Sequence, residues 1–335
     1  MKSILEAGDV KNKKVFVRVD WNAPFDYRSG RAEVVDDFRI KKSLPTLEYL
    51  KNAGAKVVIA THLEPEGASV EQLKLYVPEG MKLLGNLRDS PGEERNSEEF
   101  AKELASNADI YVNEAFSVSH REHASIVGLP RLLPGFIGLQ FALEIKELSK
   151  AFYPKKPFLF ILGGAKFDTK LPLLTKFIHI ADHIFVGGAL ANNFFKEQGV
   201  DVDNSLVSEG DFGLKELLKI GKIILPEDTI IKEGKILDAG PKTIENLKSL
   251  ISASKLVLWN GPLGSYENGY SVATLALAKI ISESGSESII GGGHTIAAIK
   301  GLNLLDKFSF VSTGGGAMLD FLATGTLPGI EALKR

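Results

Sequence analysis

Five apolar runs in the second half of the chain end in glycine. The turns read Leu162-Gly163-Gly164-Ala165-Lys166, Val186-Gly187-Gly188-Ala189, Trp259-Asn260-Gly261-Pro262, Ile290-Gly291-Gly292-Gly293-His294-Thr295 and Ser312-Thr313-Gly314-Gly315-Gly316-Ala317. Glycine lets a backbone approach a ligand closely and turn sharply into a helix. The helix N-terminus then offers free amides and a positive dipole end to an anion. One such turn is ordinary punctuation; five on one sheet point to a phosphate-bearing ligand. Lys166 and Lys170 lie four apart after Gly163-Gly164, so on a helix they share a face. Lysines at a helix N-terminus oppose the dipole, which favours a phosphate role over a solvated pair. The chain has no G-x-x-x-x-G-K-[ST] loop and no clean G-x-G-x-x-G, which argues against a Walker-type site and weakens a dinucleotide one.

The strand ends of the first half are polar and cationic instead. They read Asp20-Trp21-Asn22, Thr61-His62 and Asn113-Glu114-Ala115-Phe116, the last leading to His120-Arg121-Glu122-His123; Arg39 follows Asp36-Asp37 and Arg88 follows Asn86-Leu87. Taken singly, each arginine reads as a surface ion pair, and Asp20 and Asn22 as turn residues. Converging, Arg39, His62, Arg88 and Arg121, with His120 or His123 as a further member, would make a pocket for a small polyanion, because arginine grips phosphate and carboxylate bidentately. His120 and His123 lack metal-ligand spacing, and no G-x-S-x-G hydrolase signature is present.

These turns need strands to position them. Short β-branched runs recur at Val15–Val19, Lys56–Ala60 and Ile110–Val112, then at Phe158–Leu162, Ile184–Val186, Ile223–Leu225, Leu256–Trp259, Ser288–Ile290 and Phe308–Val311. Helical stretches lie between most of them, among them Ile40–Asn52, Glu98–Ser106, Lys170–Ala181, Ile244–Ser252 and Ala273–Ser284. Apolar strands alternating with helices predict parallel sheets covered on both faces. The fold class is therefore α/β, with two Rossmann-like lobes and, between them, a stretch that reads either as a hinge helix joining them or as an ordinary surface helix. That helix is expected to open at Pro134-Gly135 with Phe141, Ile145, Leu148 and Phe152 on one stripe, before Pro154 and Pro157 break it. Closure of the lobes would bring the anion to a terminal phosphate and exclude water.

Composition bounds the remainder. The 335 residues are enough for two domains. Net charge is −2, so no global basic field points to nucleic acid or membrane. Cysteine is absent, which excludes disulfides, thiol catalysis and Cys-held metals. No run of 18 apolar residues suggests a membrane span. The opening Met1-Lys2-Ser3-Ile4-Leu5-Glu6 lacks a signal peptide's apolar stretch, so a cytoplasmic location is expected.

The motifs together resemble the phosphoglycerate kinase family, collinearly along almost the whole chain. The segments that carry the resemblance are Val17-Arg18-Val19-Asp20-Trp21-Asn22-Ala23-Pro24, Asp37-Phe38-Arg39-Ile40, Leu84-Gly85-Asn86-Leu87-Arg88 and the stretch from Asp109 to Ser125. In the second half they are Gly163-Gly164-Ala165-Lys166 with Lys170, Trp259-Asn260-Gly261-Pro262-Leu263-Gly264 with Glu267, Ser312 to Ala317, and Pro328 to Leu333. The resemblance implies reversible phosphoryl transfer between ATP/ADP with Mg2+ and the 3-phosphoglycerate/1,3-bisphosphoglycerate pair. It places Asp20, Asn22, Arg39, His62, Arg88 and Arg121 on the phosphoglycerate. Lys166, Lys170, Gly187, Gly188, Asn260, Glu267, Gly292, Gly293 and Thr295 would hold the nucleotide, with Glu267 on the ribose. Arg39, Lys170 and Gly315 would serve catalysis. The implied lobes are residues 1–150 with 322–335 for phosphoglycerate, and 151–321 for nucleotide. A monomer with only small-molecule partners, no nucleic acid and no membrane is expected.

Three departures stand out. The family's GGGDT reads Gly291-Gly292-Gly293-His294-Thr295, so a histidine, a poor magnesium ligand, replaces a metal-associated aspartate and the metal ligand stays unassigned. His294 could touch phosphate directly, or merely cap its helix. The family's HLGRP reads His62-Leu63-Glu64-Pro65, which removes one substrate arginine and places a glutamate near it. Only 20 residues separate His62 from Leu83, so a strand–helix unit is expected to be missing. A kinase for another phosphorylated carboxylic acid, and a non-catalytic nucleotide-binding homologue, remain alternatives.

Overall fold

The computed structural model describes residues 1–28, 33–64, 68–106 and 108–334. Pro65 and Arg335, both within segments named above, lie outside the described residues. The chain divides into two compact units: unit 1 is Met1–Lys146 with Thr324 to the C-terminus, and unit 2 is Glu147–Ala323.

Unit 1 contains strands β1 (Lys14–Arg18), β2 (Phe25–Asp26), β3 (Glu33–Val34), β4 (Lys56–Ala60), β5 (Lys82–Leu83), β6 (Ile110–Asn113) and β7 (Gly135–Ile137), with helices α1 (Phe38–Asn52), α2 (Pro91–Glu94) and α3 (Glu98–Ala105). Five strands form one parallel sheet in the order β5-β4-β1-β6-β7; β2 and β3 form a separate antiparallel pair. The β-branched runs of β1, β4 and β6 supply a core in which Val15, Val17, Ile59 and Val112 pack with Ile40, Leu47 and Leu50 of α1. Strand order reverses at β1, so the carboxyl ends of β1, β4 and β6 mark the crevice. Beyond β1, the fully buried Trp21 donates Nε1–H to Ser43 Oγ (2.8 Å) and its backbone N–H to Thr61 Oγ1 (2.9 Å). Side chains alternate along extended backbone, so sinking Trp21 turns Asp20 and Asn22 the other way.

Unit 2 contains β8 (Phe158–Leu162), β9 (His183–Val186), β10 (Ile223–Ile224), β11 (Thr229–Lys232), β12 (Lys235–Ala239), β13 (Leu256–Asn260), β14 (Glu287–Gly291) and β15 (Phe310–Val311). Its helices are α5 (Phe167–Phe177), α6 (Ala189–Glu197), α7 (Leu214–Lys219), α8 (Pro241–Ala253), α9 (Val272–Glu283), α10 (Gly293–Gly301) and α11 (Gly316–Thr324), the last running one residue past the unit boundary. The six-stranded parallel sheet runs β10-β9-β8-β13-β14-β15, and β11 and β12 form an antiparallel hairpin. Every residue of β8 and β13 is buried, as expected of central parallel strands. The switch point lies between β8 and β13. There Gly163 and Gly261 are required: a Cβ on Gly163 would overlap the Pro262 carbonyl, and one on Gly261 the Gly163 carbonyl.

Helix α4 (Leu139–Ser149) carries the unit boundary, between Lys146 and Glu147. Its N-terminus is held by Glu114, which accepts from the backbone N–H of Gln140 (3.1 Å) and Phe141 (3.0 Å) and from Thr46 Oγ1 (2.5 Å). Burial pushes the Glu114 carboxyl up to about 7. The expected opening of this helix at Gly135 is corrected: Gly135–Ile137 is an edge strand whose residues pair with Tyr111–Asn113, because the ladder captures them. Phe152 also lies past the end of α4 and packs on Phe177 and Phe321. The chain ends with α12 (Pro328–Ala332) back in unit 1, where Gly329 N–H donates to Ser119 O at 2.9 Å. Among the described residues no helix is long and apolar enough to cross a membrane.

Candidate functional site

In unit 2 the glycine turns open on a cleft of about 840 Å³. Four helices start at its wall: Lys166, Ala189, Gly293 and Gly316, at or just before the first residues of α5, α6, α10 and α11, all line it. The first three helices have no side-chain cap; in α6 the Leu190 N–H already donates to Gly164 O at 3.1 Å, whereas the leading amides of α5 and α10 suit an anion. Lys170 lies over this point. Its ammonium donates to the Gly163 carbonyl beside the Gly164 and Gly261 turns. Burial, and then the neighbouring Lys166 charge, push it down to about 8.

Of the residues expected at a nucleotide, Lys166, Lys170, Gly188, Asn260, Glu267, Gly292 and Gly293 line this cleft, as does Gly315. Gly187 and Thr295 lie behind the wall. Thr295 is fully buried and its hydroxyl accepts from Gly261 N–H at 3.1 Å, so it fastens the turn after β13. His294 Nε2 lies 3.0 Å from Glu267 Oε1, with its ring 5.9 Å from that of Tyr266. Sequence reasoning missed Asn192, which also lines the cleft. Its amide donates to Leu206 O at 3.0 Å, while buried Oδ1 meets no partner among the described residues. An Asn-Asn pair just after a Gly-Gly turn was the available signal.

Among the described residues no group of three or more His, Asp or Glu side chains could hold a metal ion. Asp238 lines the cleft, but its oxygens accept from the backbone amides of Ala239 (3.0 Å) and Ala273 (3.1 Å). Glu267, the other carboxylate lining the cleft, faces His294, so among the described residues the cleft gathers no carboxylate cluster for a protein-held magnesium.

In unit 1 five of the six expected acceptor-binding residues converge on two carboxylates, the sixth, Asp20, and Glu64. Arg39 Nη1 donates to Asp20 Oδ2 at 3.0 Å, and Ser117 Oγ donates to the same oxygen. Burial pushes the Asp20 carboxyl up, but Arg39, with Ser117 and Arg18, outweighs it and holds the group below the usual range. Glu64 receives Arg88 Nη1 (2.5 Å), Arg121 Nη1 (3.3 Å) and Asn22 Nδ2 (3.2 Å). His62 lies between them, 3.9 Å from each carboxylate. Burial, then the Arg18 charge, push the imidazole down to about 3, so it is neutral. Arg18 Nη2 approaches His62 Nδ1 at 3.2 Å. A guanidinium only donates, so we assign the ring proton to Nε2, on the Glu64 side.

Arg18, which sequence reasoning did not place in the site, is a buried positioning residue. Its Nε donates to Ser125 Oγ (2.8 Å), which in turn donates to the fully buried Glu93 (2.6 Å). A charged residue closing an apolar strand gave no sign of this.

A family model described as phosphoglycerate kinase matches residues 5–77 and 66–325. Similar relatives include the phosphoglycerate kinase of Solibacter usitatus, 38% identical over 382 aligned positions that cover 98% of this chain and 98% of the relative. That of Orientia tsutsugamushi is 39% identical over 391, covering 97% and 96%. These alignments are longer than the 335 residues here, so the relatives carry stretches this chain lacks. Among solved structures, phosphoglycerate kinase from Coxiella burnetii aligns with a TM-score of 0.85 and 31% identity, covering 99% of this chain and 98% of that one. The enzyme from Pyrococcus horikoshii gives 0.86 and 29%, covering 100% and 98%.

Proposed function

The chain belongs to the phosphoglycerate kinase family, and we propose from its two strand-end clusters how it transfers a phosphoryl group between ATP and the carboxylate of 3-phosphoglycerate. One observation carries the reading: each unit gathers its anion-binding groups at the switch point of its own sheet. Unit 1 offers Arg39, Arg88 and Arg121 to the acceptor, with Asn22 and neutral His62 as further polar contacts. Unit 2 offers Lys166, Lys170 and the N-termini of α5, α10 and α11 to the nucleotide phosphates, with Gly187 and Gly188 flanking the adenine. Magnesium enters with the nucleotide, as part of that substrate.

The acceptor carboxylate is ionised at neutral pH, so no general base is needed. Its oxygen forms a bond to the terminal phosphorus while the bond from phosphorus to the bridging oxygen breaks, and ADP leaves with the electron pair. Such transfer asks for alignment and charge stabilisation. Lys170 and the amides around Gly315 supply these on the nucleotide side, Arg39 on the acceptor side. A coupled assay with 3-phosphoglycerate, MgATP and this chain is expected to show turnover; nucleotide binding without turnover would leave only a binding homologue.

Two further outcomes are expected. Glu267→Gln should weaken ATP binding by about 1.5–3 kcal/mol, the worth of hydrogen bonds to a charged acceptor, and spare 3-phosphoglycerate. Calorimetry with each ligand checks this, and equal losses would contradict Glu267's assignment to the ribose. Lys170 gives the second. Below about pH 8 it is charged before nucleotide arrives. Bound phosphates favour the charged form. ATP affinity should therefore be level below pH 8 and fall above it, by at most about tenfold per pH unit. Lys170→Met should flatten that profile; a flat profile in the unmodified protein would remove Lys170 from the phosphates.

A further inference from the structure

Glu64 is an anion placed where an anion should bind. Arg88 Nη1 and Arg121 Nη1 both point at Glu64 Oε1, at 2.5 and 3.3 Å, and Asn22 Nδ2 donates to Oε2 at 3.2 Å. The pair with Asn22 is closed by Glu64 N–H donating back to Asn22 Oδ1 at 3.1 Å. The donor set is what an oxyanion needs, two guanidinium arms and an amide. Glu64 fills it from within the chain. The side chain is still 43% exposed, so it can leave without crossing a packed core. Arg88 is also left partly unsatisfied. Its Nε faces Glu94 Oε1 at 3.2 Å outside hydrogen-bond geometry, and its buried Nη2 meets no acceptor among the described residues. A carboxylate has two oxygens, and this one is already shared three ways; a phosphate brings three oxygens and about twice the charge.

We propose that Glu64 is a specificity-determining residue that competes with the acceptor's phosphate for Arg88, Arg121 and Asn22. The phosphate binds by displacing the carboxylate, and affinity is lowered by the ion pairs that must first break. This rests on unit 1 being the acceptor site. Partly exposed ion pairs are individually weak, so two of them set an effect of about tenfold. The loss is uniform binding, shared by ground and transition states, and belongs in KM rather than kcat.

The test compares the unmodified protein with Glu64→Gln and Glu64→Ala. Calorimetry uses inorganic phosphate, 3-phosphoglycerate and ATP separately, and steady-state assays give KM and kcat for 3-phosphoglycerate. We expect both variants to bind inorganic phosphate and 3-phosphoglycerate about tenfold more tightly, with KM lowered to match, kcat not raised and ATP affinity unmoved. Two variants separate charge from hydrogen bonding, since glutamine can still accept from the arginines and alanine cannot. Tighter phosphate binding in the variants, with no 3-phosphoglycerate binding in any of the three proteins, would keep the competitor and discard the acceptor assignment. Unchanged or weaker phosphate binding in both variants would overturn the proposal and make Glu64 a brace for the arginines.

Discussion

Arg39→Ala should lower kcat/KM for 3-phosphoglycerate by 10²–10³, about 3–4 kcal/mol, the usual loss for one charge contact aimed at a transition state. Arg39 is 39% exposed and its fold contact is the 3.0 Å bond to Asp20. Ser117 and the nearby Arg18 charge still hold Asp20 after the substitution, so the loss should be functional rather than structural. ATP affinity should stay near normal, because the residues lining the nucleotide cleft all belong to unit 2. Arg39→Lys should recover only part of the rate, since a point charge does not reproduce the guanidinium fork. Single-turnover rates and ATP calorimetry on both variants check this. Near-normal turnover in Arg39→Ala would remove Arg39 from the reacting centre.

Glu93→Ala is expected to give the largest stability loss, about 3–5 kcal/mol, because removing one partner strands a buried charge. Glu93 and Arg18 are both fully buried, 4.0 Å apart and bridged by Ser125. Glu93 also accepts from Ser125 N–H at 2.9 Å and faces His123 Nδ1 at 3.8 Å. Without it, the Arg18 guanidinium loses the larger of its two carboxylate counter-charges, Asp20 being the other, and pulls on the Nη2 contact to His62. Urea unfolding followed on the unit 1 transition measures the stability. Weaker 3-phosphoglycerate binding at temperatures where the variant is folded would show the network reaching His62. A loss under 1 kcal/mol would mean that Arg18 finds another partner or water.

The sequence by itself determined the parts whose chemistry is local. Apolar β-branched runs become buried parallel strands because a sheet covered on both faces excludes polar side chains. The βα turns read clearly because backbone packing at Gly163 and Gly261 leaves no room for a Cβ. The list of cationic residues at the first unit's strand ends was visible from residue type alone. Tertiary structure decided where each of those charges points. Gly135–Ile137 joined a sheet edge instead of a helix, because pairing with β6 outweighs local pattern. Thr295 turned away from the cleft to hold Gly261, 34 positions earlier. Arg18 sank beneath the site through partners 107 and 44 positions away. His294 paired with Glu267, and Glu64 entered the centre of the arginines. The physical reason is common to these cases. A charge or hydroxyl takes its role from whatever desolvates or pairs with it, and those partners are brought together only when distant strand ends meet at one edge of a sheet.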